Sequence, residues 1–229
     1  MHENNHKRLY PKFWQHDYHV LTQLRVGIMD FVRKYLVDKG SLVDYGCGLM
    51  PYKSLINPYV RQYIGVDIGK NPEAQVQIKP GQKLPLKTES VGAVLSTQVL
   101  EHVDTVDLYL AESFRIVKQG GYLFLSTHGV WPYHEHPQDY RRWTRSGLVY
   151  EIERAGFSIL EVKPILNPYS ATIQFQMLLM AEVLSSKGIV GRFCLHFLSM
   201  FGNFLIVVLQ IFSYKNASDA AVFIIAAQK

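Results

Sequence analysis

The chain has 229 residues, 48% of them apolar and 19% charged, which bounds it to one globular domain of ordinary size or a domain with an appendage. Its net charge of +5 suits a mildly anionic substrate or a membrane surface and is too small to argue for nucleic acid. Two cysteines, Cys47 and Cys194, exclude a disulfide framework and point to a reducing compartment, here the cytoplasm.

Residues 1–18 alternate between polar and aromatic, and their basic residues precede no apolar core, so no cleavable signal peptide is expected. From Val20 to Val37 apolar residues recur at helical spacing, predicting an amphipathic helix against one face of a sheet. Phe13 and Trp14, just before it, read either as a lid over a ligand or as ordinary packing. Leu42-Val43-Asp44-Tyr45 is a short apolar strand ending in an acid, followed at once by Gly46-Cys47-Gly48. Glycines there let the backbone turn sharply and approach a bound molecule. A second strand, Tyr63 to Ile68, places Asp67 about 20 residues after the glycines, the spacing at which a carboxylate reaches ribose hydroxyls. Pro51 stands where a dinucleotide fingerprint would continue, so the loop reads as a nucleoside site for S-adenosylmethionine rather than NAD.

A short strand at Val76–Ile78 and a clear one at Val91–Ser96 follow. The latter leads into Thr97-Gln98-Val99-Leu100-Glu101-His102. A helix from Val106 to Val117 is expected to stop at Gly120-Gly121, before a strand at Tyr122–Ser126. Strands alternating with helices predict βαβ units and a parallel sheet. A helix from Ser146 to Ala155, capped by Thr144, and a strand from Phe157 to Pro164 come next. Residues 171–213 are almost wholly apolar, and Phe193 to Phe212 carries no formal charge over a length that meets the criterion for a membrane span. Ala221 to Ala227 nevertheless reads as a strand of the same sheet, which favours a helical hairpin that leaves the sheet and returns. Its apolar surface could lie in a membrane interface, cover a substrate pocket or pair with a second copy of the chain.

Taken together, Val43 to Gly48, Gly65-Val66-Asp67, Leu84-Pro85, Gln98 to His102 and Gly120-Gly121 resemble the class I S-adenosylmethionine-dependent methyltransferases. More narrowly they resemble small standalone members associated with polysaccharide or cell-envelope metabolism. The resemblance runs from Leu42 to Phe157. It implies an α/β fold: a Rossmann-like, mostly parallel seven-stranded sheet with an antiparallel last strand and a hydrophobic helical insertion before it. The corresponding divisions are a methyltransferase core with an N-terminal helical cap at 1–166, a hairpin at 167–215 and a closing strand at 216–229. The implied cofactor set is Asp44, Gly46, Cys47, Gly48, Asp67, Ile68, Leu84, Thr97 and Gln98. Asp44 would orient the loop amides and reach the cofactor's amino group, and Asp67 would hold both ribose hydroxyls. Two departures stand out. No acid precedes Leu84 to hold adenine, leaving backbone groups and Gln82, and Gly92 sits where an aspartate is common.

The most unusual polar stretch runs from Pro132 to Thr144. A sulfonium electrophile needs little help, whereas a hydroxyl acceptor needs a partner for its proton, so His134, His136 and His128 are the candidate bases. Asp139 could orient an imidazole, Arg142 could grip a phosphate or carboxylate, and Tyr133 completes the candidate acceptor set. The plainer alternative makes Asp139 and Arg142 a structural salt bridge. His134, Glu135, His136 and Asp139 are also metal-ligand types, but one loop cluster does not make a site and no metal is expected. The expected activity is O-methylation of a small or lipid-linked acceptor such as a sugar. The rivals are an NAD-dependent enzyme of similar fold and a non-catalytic, membrane-associated binding protein. Expected partners are a small-molecule or lipid-linked substrate, and a membrane surface or a second subunit through 171–213.

Overall fold

The computed structural model describes residues 7–36, 40–135, 138–211 and 218–229. Helix α1 spans Tyr18–Tyr35, starting two residues before the expected Val20, while Val37 lies outside the described residues. Strand β1 (Ser41–Tyr45) follows, then the glycine loop, a single helical turn α2 (Lys53–Ile56), β2 (Gln62–Ile68), β3 (Val76–Ile78) and β4 (Val91–Thr97). Next come α3 (Val106–Ile116), β5 (Val117–His128), α4 (Arg145–Arg154) and β6 (Ser158–Ile165). The apolar helices α5 (Pro168–Ser185) and α6 (Gly188–Gln210) precede the closing strand β7 (Val222–Gln228).

The seven strands lie in the order β3-β2-β1-β4-β5-β7-β6. Pairings from β3 through β5 are parallel, and β7 runs antiparallel to both β5 and β6. This is the expected mixed sheet of a Rossmann-like fold. Alternate side chains build two apolar layers, as strand pleating requires. Leu42, Leu95, Phe124 and Ile224 pack with α1 on one face, while Val43, Val94, Leu125 and Ile225 meet α3 and α4 on the other. Gly27 lets α1 seat closely on the sheet, since a Cβ there would lie 2.5 Å from Ile224 Cδ1.

The helix expected from Val106 to Val117 forms within one residue of those bounds, but Gly120-Gly121 are not its stop. It stops at Ile116, and the residues after it already run with β5. The register jumps between the pairs Val91↔Val117 and Ala93↔Tyr122, so Gly120 (φ +73°) and Gly121 form a bulge rather than a helix stop. Gly92 belongs to the same crossing: a Cβ on Gly121 would lie 2.7 Å from its carbonyl oxygen. That end of β4 is opposite the ligand-facing end.

Asn167 ties the inserted pair to the sheet at both ends. Its Oδ1 accepts the Ser170 amide and caps α5, and its Nδ2 donates to the Leu209 carbonyl of α6.

Candidate active site

The carboxyl ends of β1, β2 and β4 converge, as open α/β sheets bring them together at a ligand crevice. Gly46 (φ +80°) and Gly48 (φ +48°) both occupy left-handed backbone, which glycine adopts without strain. Their surroundings differ. A Cβ on Gly46 would lie 2.6 Å from Val99 Cγ2, whereas one on Gly48 would meet nothing within 4 Å. Gly46 is bare for packing and Gly48 borders open space.

The loop amides are held by strand β2. Gly46 and Cys47 donate to the Val66 carbonyl, and Gly48 donates to Asp67 Oδ2 at 3.0 Å. Asp67 Oδ1 also accepts the Ile68 amide at 2.8 Å, and Asn71 Nδ2 donates to Asp67 Oδ2 at 2.6 Å and to the Gly48 carbonyl at 2.8 Å. The amide-orienting role expected of Asp44 therefore falls to Asp67. Asp44 is buried, lines neither cavity described below, and accepts the Tyr63 hydroxyl at 2.5 Å on Oδ2, while its Oδ1 has no hydrogen-bond partner. Burial pushes its carboxyl up to about 7 against the pull of Tyr63, and the nearby Asp67 charge adds to the rise. Cys47 is buried too, and burial followed by the charges of Asp44 and Asp67 pushes its thiol up to about 12, leaving it neutral and unreactive.

Two cavities meet at this loop. The first, about 600 Å³, has Asp67, Ile68, Lys79 and Gln82 on one side and Val99, His102, Leu108 and Tyr140 on the other. Its floor is the stacked pair Tyr45–Tyr109, with ring centroids 4.0 Å apart, locked by the Tyr109 hydroxyl on the Tyr45 carbonyl. The second, about 480 Å³, is walled by Lys7, Arg8, Gln15 and Asp17 of the N-terminal segment and by Cys47, Leu49 and Thr97. Gly46, Gly48 and Gln98 line both. Gln98 has φ +56°, an uncommon value for a non-glycine residue, and is held by its amide on the Ser126 carbonyl and its Nε2 on Ser126 Oγ.

Among the expected cofactor residues, Gly46, Gly48, Asp67, Ile68, Thr97, Gln98 and Cys47 border one or both cavities. Leu84 does not. Its side chain lies in the apolar core and its amide donates to Glu112. The acceptor candidates are placed differently from expectation. Arg142 is spent within its own loop: two bonds to Asp139 and others to the carbonyls of Trp131, Pro132 and Arg141 occupy its guanidinium. Asp139 also accepts the His134 amide, and although burial raises its carboxyl, the Arg142 hydrogen bonds outweigh that and hold it below the usual range. The pair is a staple, as the plainer alternative had it, and Thr144 caps α4 through the Gly147 amide. Tyr133 is exposed and lines neither cavity.

The three candidate bases also separate. His134 lines neither cavity, with its ring 6.0 Å from that of His102. His136 lies outside the described residues. His128 is buried, stacked on Trp131 at 4.6 Å, with Nδ1 2.9 Å from Glu101 Oε1. Burial raises the Glu101 carboxyl, but His128 and then Thr127 more than offset this and it ends below its ordinary value. This buried pair ties the end of β5 to the turn after β4.

His102 is the imidazole on a cavity wall among the described residues, and sequence reasoning passed over it as part of a motif. Its Nδ1 lies 2.5 Å from the Gln138 carbonyl oxygen. A carbonyl only accepts, so Nδ1 carries a proton, and of the two nitrogens only Nε2 can serve as a proton acceptor. Lys7, Arg8 and Asn71 were missed as well. Asn71 follows Asp67 by one short turn and could have been suspected; Lys7 and Arg8 reach the site only through tertiary folding.

The residues fit an adenosyl sulfonium. Gly48 leaves room where a side chain would intrude, Asp67 Oδ1 keeps acceptor capacity toward ribose hydroxyls, and Gln98 marks the junction of a nucleoside-sized cavity with a second chamber.

Comparison with known proteins agrees with the geometry. Residues 43–125 match the family model described as a methyltransferase domain. A curated protein of Mycolicibacterium smegmatis, described as a "Probable S-adenosylmethionine-dependent methyltransferase", is 31% identical over 96 residues, 38% of this chain. The alignment spans 37% of that relative's length. Among solved structures, the [4+2]-cyclase SpnF superposes with a TM-score of 0.58 at 22% identity, covering 91% of this chain and 83% of that one. The 1,6-didemethyltoxoflavin-N1-methyltransferase of Burkholderia thailandensis, solved with S-adenosylhomocysteine, gives 0.56 at 14% identity, covering 89% and 76%. At these identities the structural likeness speaks for the fold alone.

Proposed function

We propose that this chain, which belongs to the class I S-adenosylmethionine-dependent methyltransferases, moves a methyl group onto an oxygen of a small or lipid-linked acceptor such as a sugar. The observation that carries the reading is the meeting of two cavities at Gly46, Gly48 and Gln98. One is suited to a nucleoside and the other opens beside its reactive end.

When bound, the cofactor supplies an electrophilic methyl on a positively charged sulfur. The protein's own residues position, exclude water and take a proton. Asp67 and the Gly48 backbone hold the ribose side, and Tyr45, Val99 and Leu108 offer apolar contact to the base. An acceptor hydroxyl must shed its proton as the new C–O bond forms, and His102, on the wall of the first cavity, is the imidazole to take it from an acceptor that reaches past Gln98 out of the second chamber. Lys7 and Arg8 favour an acceptor carrying an anionic group in the second chamber.

Calorimetry with S-adenosylhomocysteine tests the cofactor half, and saturable binding is expected. Mass spectrometry of a lipid and metabolite extract incubated with the enzyme and methyl-labelled cofactor tests transfer, with label expected in one acceptor. No binding, or binding without any labelled product, would overturn the reading; the second result would leave a cofactor-holding protein without transfer activity.

A further inference from the structure

Helix α6 is built inside out for a water-soluble protein. The residues it turns inward include Gly191, Ser199, Gly202 and Asn203, while its outward arc runs from Ile189 through Phe193, Phe197, Phe201 and Phe204 to Val208. Phe193 is 73% exposed and Asn203 fully buried, the reverse of their ordinary preferences. The inner packing is close. A Cβ on Gly202 would lie 2.4 Å from Met177 Sδ, and one on Gly191 would lie 2.2 Å from the Leu184 carbonyl. Small and polar residues between helices, with large apolar ones outside, is the arrangement found where the outer medium is hydrocarbon.

From this we infer that the outward arc of α6 beds into the surface of an anionic lipid bilayer. The exposed apolar area is on the order of 1,000 Å², well beyond the few hundred Å² usual on a monomer. Between Ile189 and Val208 the apolar side chains of the arc offer no hydrogen-bonding group, and the exposed polar company they have on α6 is Arg192, Cys194 and His196, few against the about ten hydrogen bonds of a protein interface of this size. A second copy is therefore the poorer occupant. The charge suits phospholipid: α6 contains no acidic residue, and Lys187 and Arg192 stand at its N-terminal end. The helix lies along the surface rather than across it, because its inner face is covered by protein. Asn203 Nδ2 donates to the Phe13 and Gln15 carbonyls, and Gln174 of α5 donates to the His16 carbonyl. The segment so clamped carries Tyr10 and Trp14 exposed, side chains suited to the headgroup region, and also walls the second chamber through Gln15 and Asp17. The docking goes beyond the transfer reading and stands without it. Only its corollary, that the acceptor is lipid-borne, rests on that reading.

Flotation of the full chain with vesicles of phosphatidylcholine alone, and of phosphatidylcholine with roughly one quarter phosphatidylglycerol, tests the inference. Recovery with the anionic vesicles is expected, weakening with salt. The double variant Phe197→Glu/Phe201→Glu should lower partitioning roughly tenfold or more. Calorimetry with S-adenosylhomocysteine reports separately on the cofactor site, and the milder Phe197→Ser/Phe201→Ser serves if the acidic pair does not fold. Absence of the unaltered chain from both vesicle fractions would overturn the inference. So would equal flotation of a folded variant, or a dimer that the same substitutions dissolve while no form floats.

Discussion

Two glycines one residue apart do different work, and their substitutions should separate. Gly46→Ala meets both a left-handed backbone and Val99 at 2.6 Å, so a loss of about 2–4 kcal/mol in stability is expected from chemical denaturation. Gly48→Ala carries the backbone strain alone, about 1–2 kcal/mol, and should fold. Its methyl instead enters the space shared by the cavities, so calorimetry should show S-adenosylhomocysteine affinity down at least roughly tenfold. Asp67→Ala should cost about 1.5–3 kcal/mol of the same affinity, the range for hydrogen bonds to a charged group. Asp44 gives a prediction in pH. Its folded value, raised to about 7, lies above its unfolded one, so its contribution to stability is full below about pH 4 and is lost as pH rises toward 7. Asp44→Asn should therefore flatten the fall in Tm between pH 5 and pH 8, and an unchanged slope would contradict that. The glycines and Asp67 were legible in the sequence because their requirements are local: a turn, a bare Cα, an acid at the end of a strand. The Tyr63 hydroxyl that claims Asp44 comes from a neighbouring strand, and no spacing along the chain announces it.

At the scale of elements, the turn after β4 carries the proposed base, and the loop after β5 holds it through the Gln138 carbonyl. His102→Gln keeps a donor for the Gln138 carbonyl and removes the base. Turnover should fall about 10²–10⁴-fold with S-adenosylhomocysteine binding little changed. A parallel loss of binding would make His102 a wall of the cofactor cavity rather than a base. Arg142→Ala should instead loosen the segments it ties together, at a cost of about 2 kcal/mol, and speed amide exchange across residues 131–135 and 138–143. Sequence reading offered Arg142 and His128 as free site groups, whereas the structure engages both with neighbours, because composition does not say which groups are spent on one another. The guanidinium is saturated by Asp139 and three carbonyls, and His128 is buried against Glu101 and Trp131. The inserted helices were legible as a hairpin because Ala221 to Ala227 reads as a strand that must return to the sheet. Their inner seam was not, since Asn203 and Gln174 find their partners in backbone carbonyls far away along the chain.

Across the molecule, α/β alternation and apolar strand runs made most of the sheet legible. The antiparallel run of β7 was implied by resemblance rather than by pattern, and its place between β5 and β6 is a matter of topology that the sheet alone shows. SpnF shows that this architecture also serves a [4+2]-cyclase, so the fold alone does not name the reaction. The order of the strands has a further consequence for the chain as it is made. Residue 122 pairs with residue 228, and β6 reaches its neighbour only past two greasy helices. During synthesis, therefore, the slot between β5 and β6 stands empty while α5 and α6 emerge, presenting raw strand edges and aromatic surface together. A nascent polypeptide in that state would gain from a chaperone, or from early capture at the lipid surface, before its last strand arrives to shut the slot.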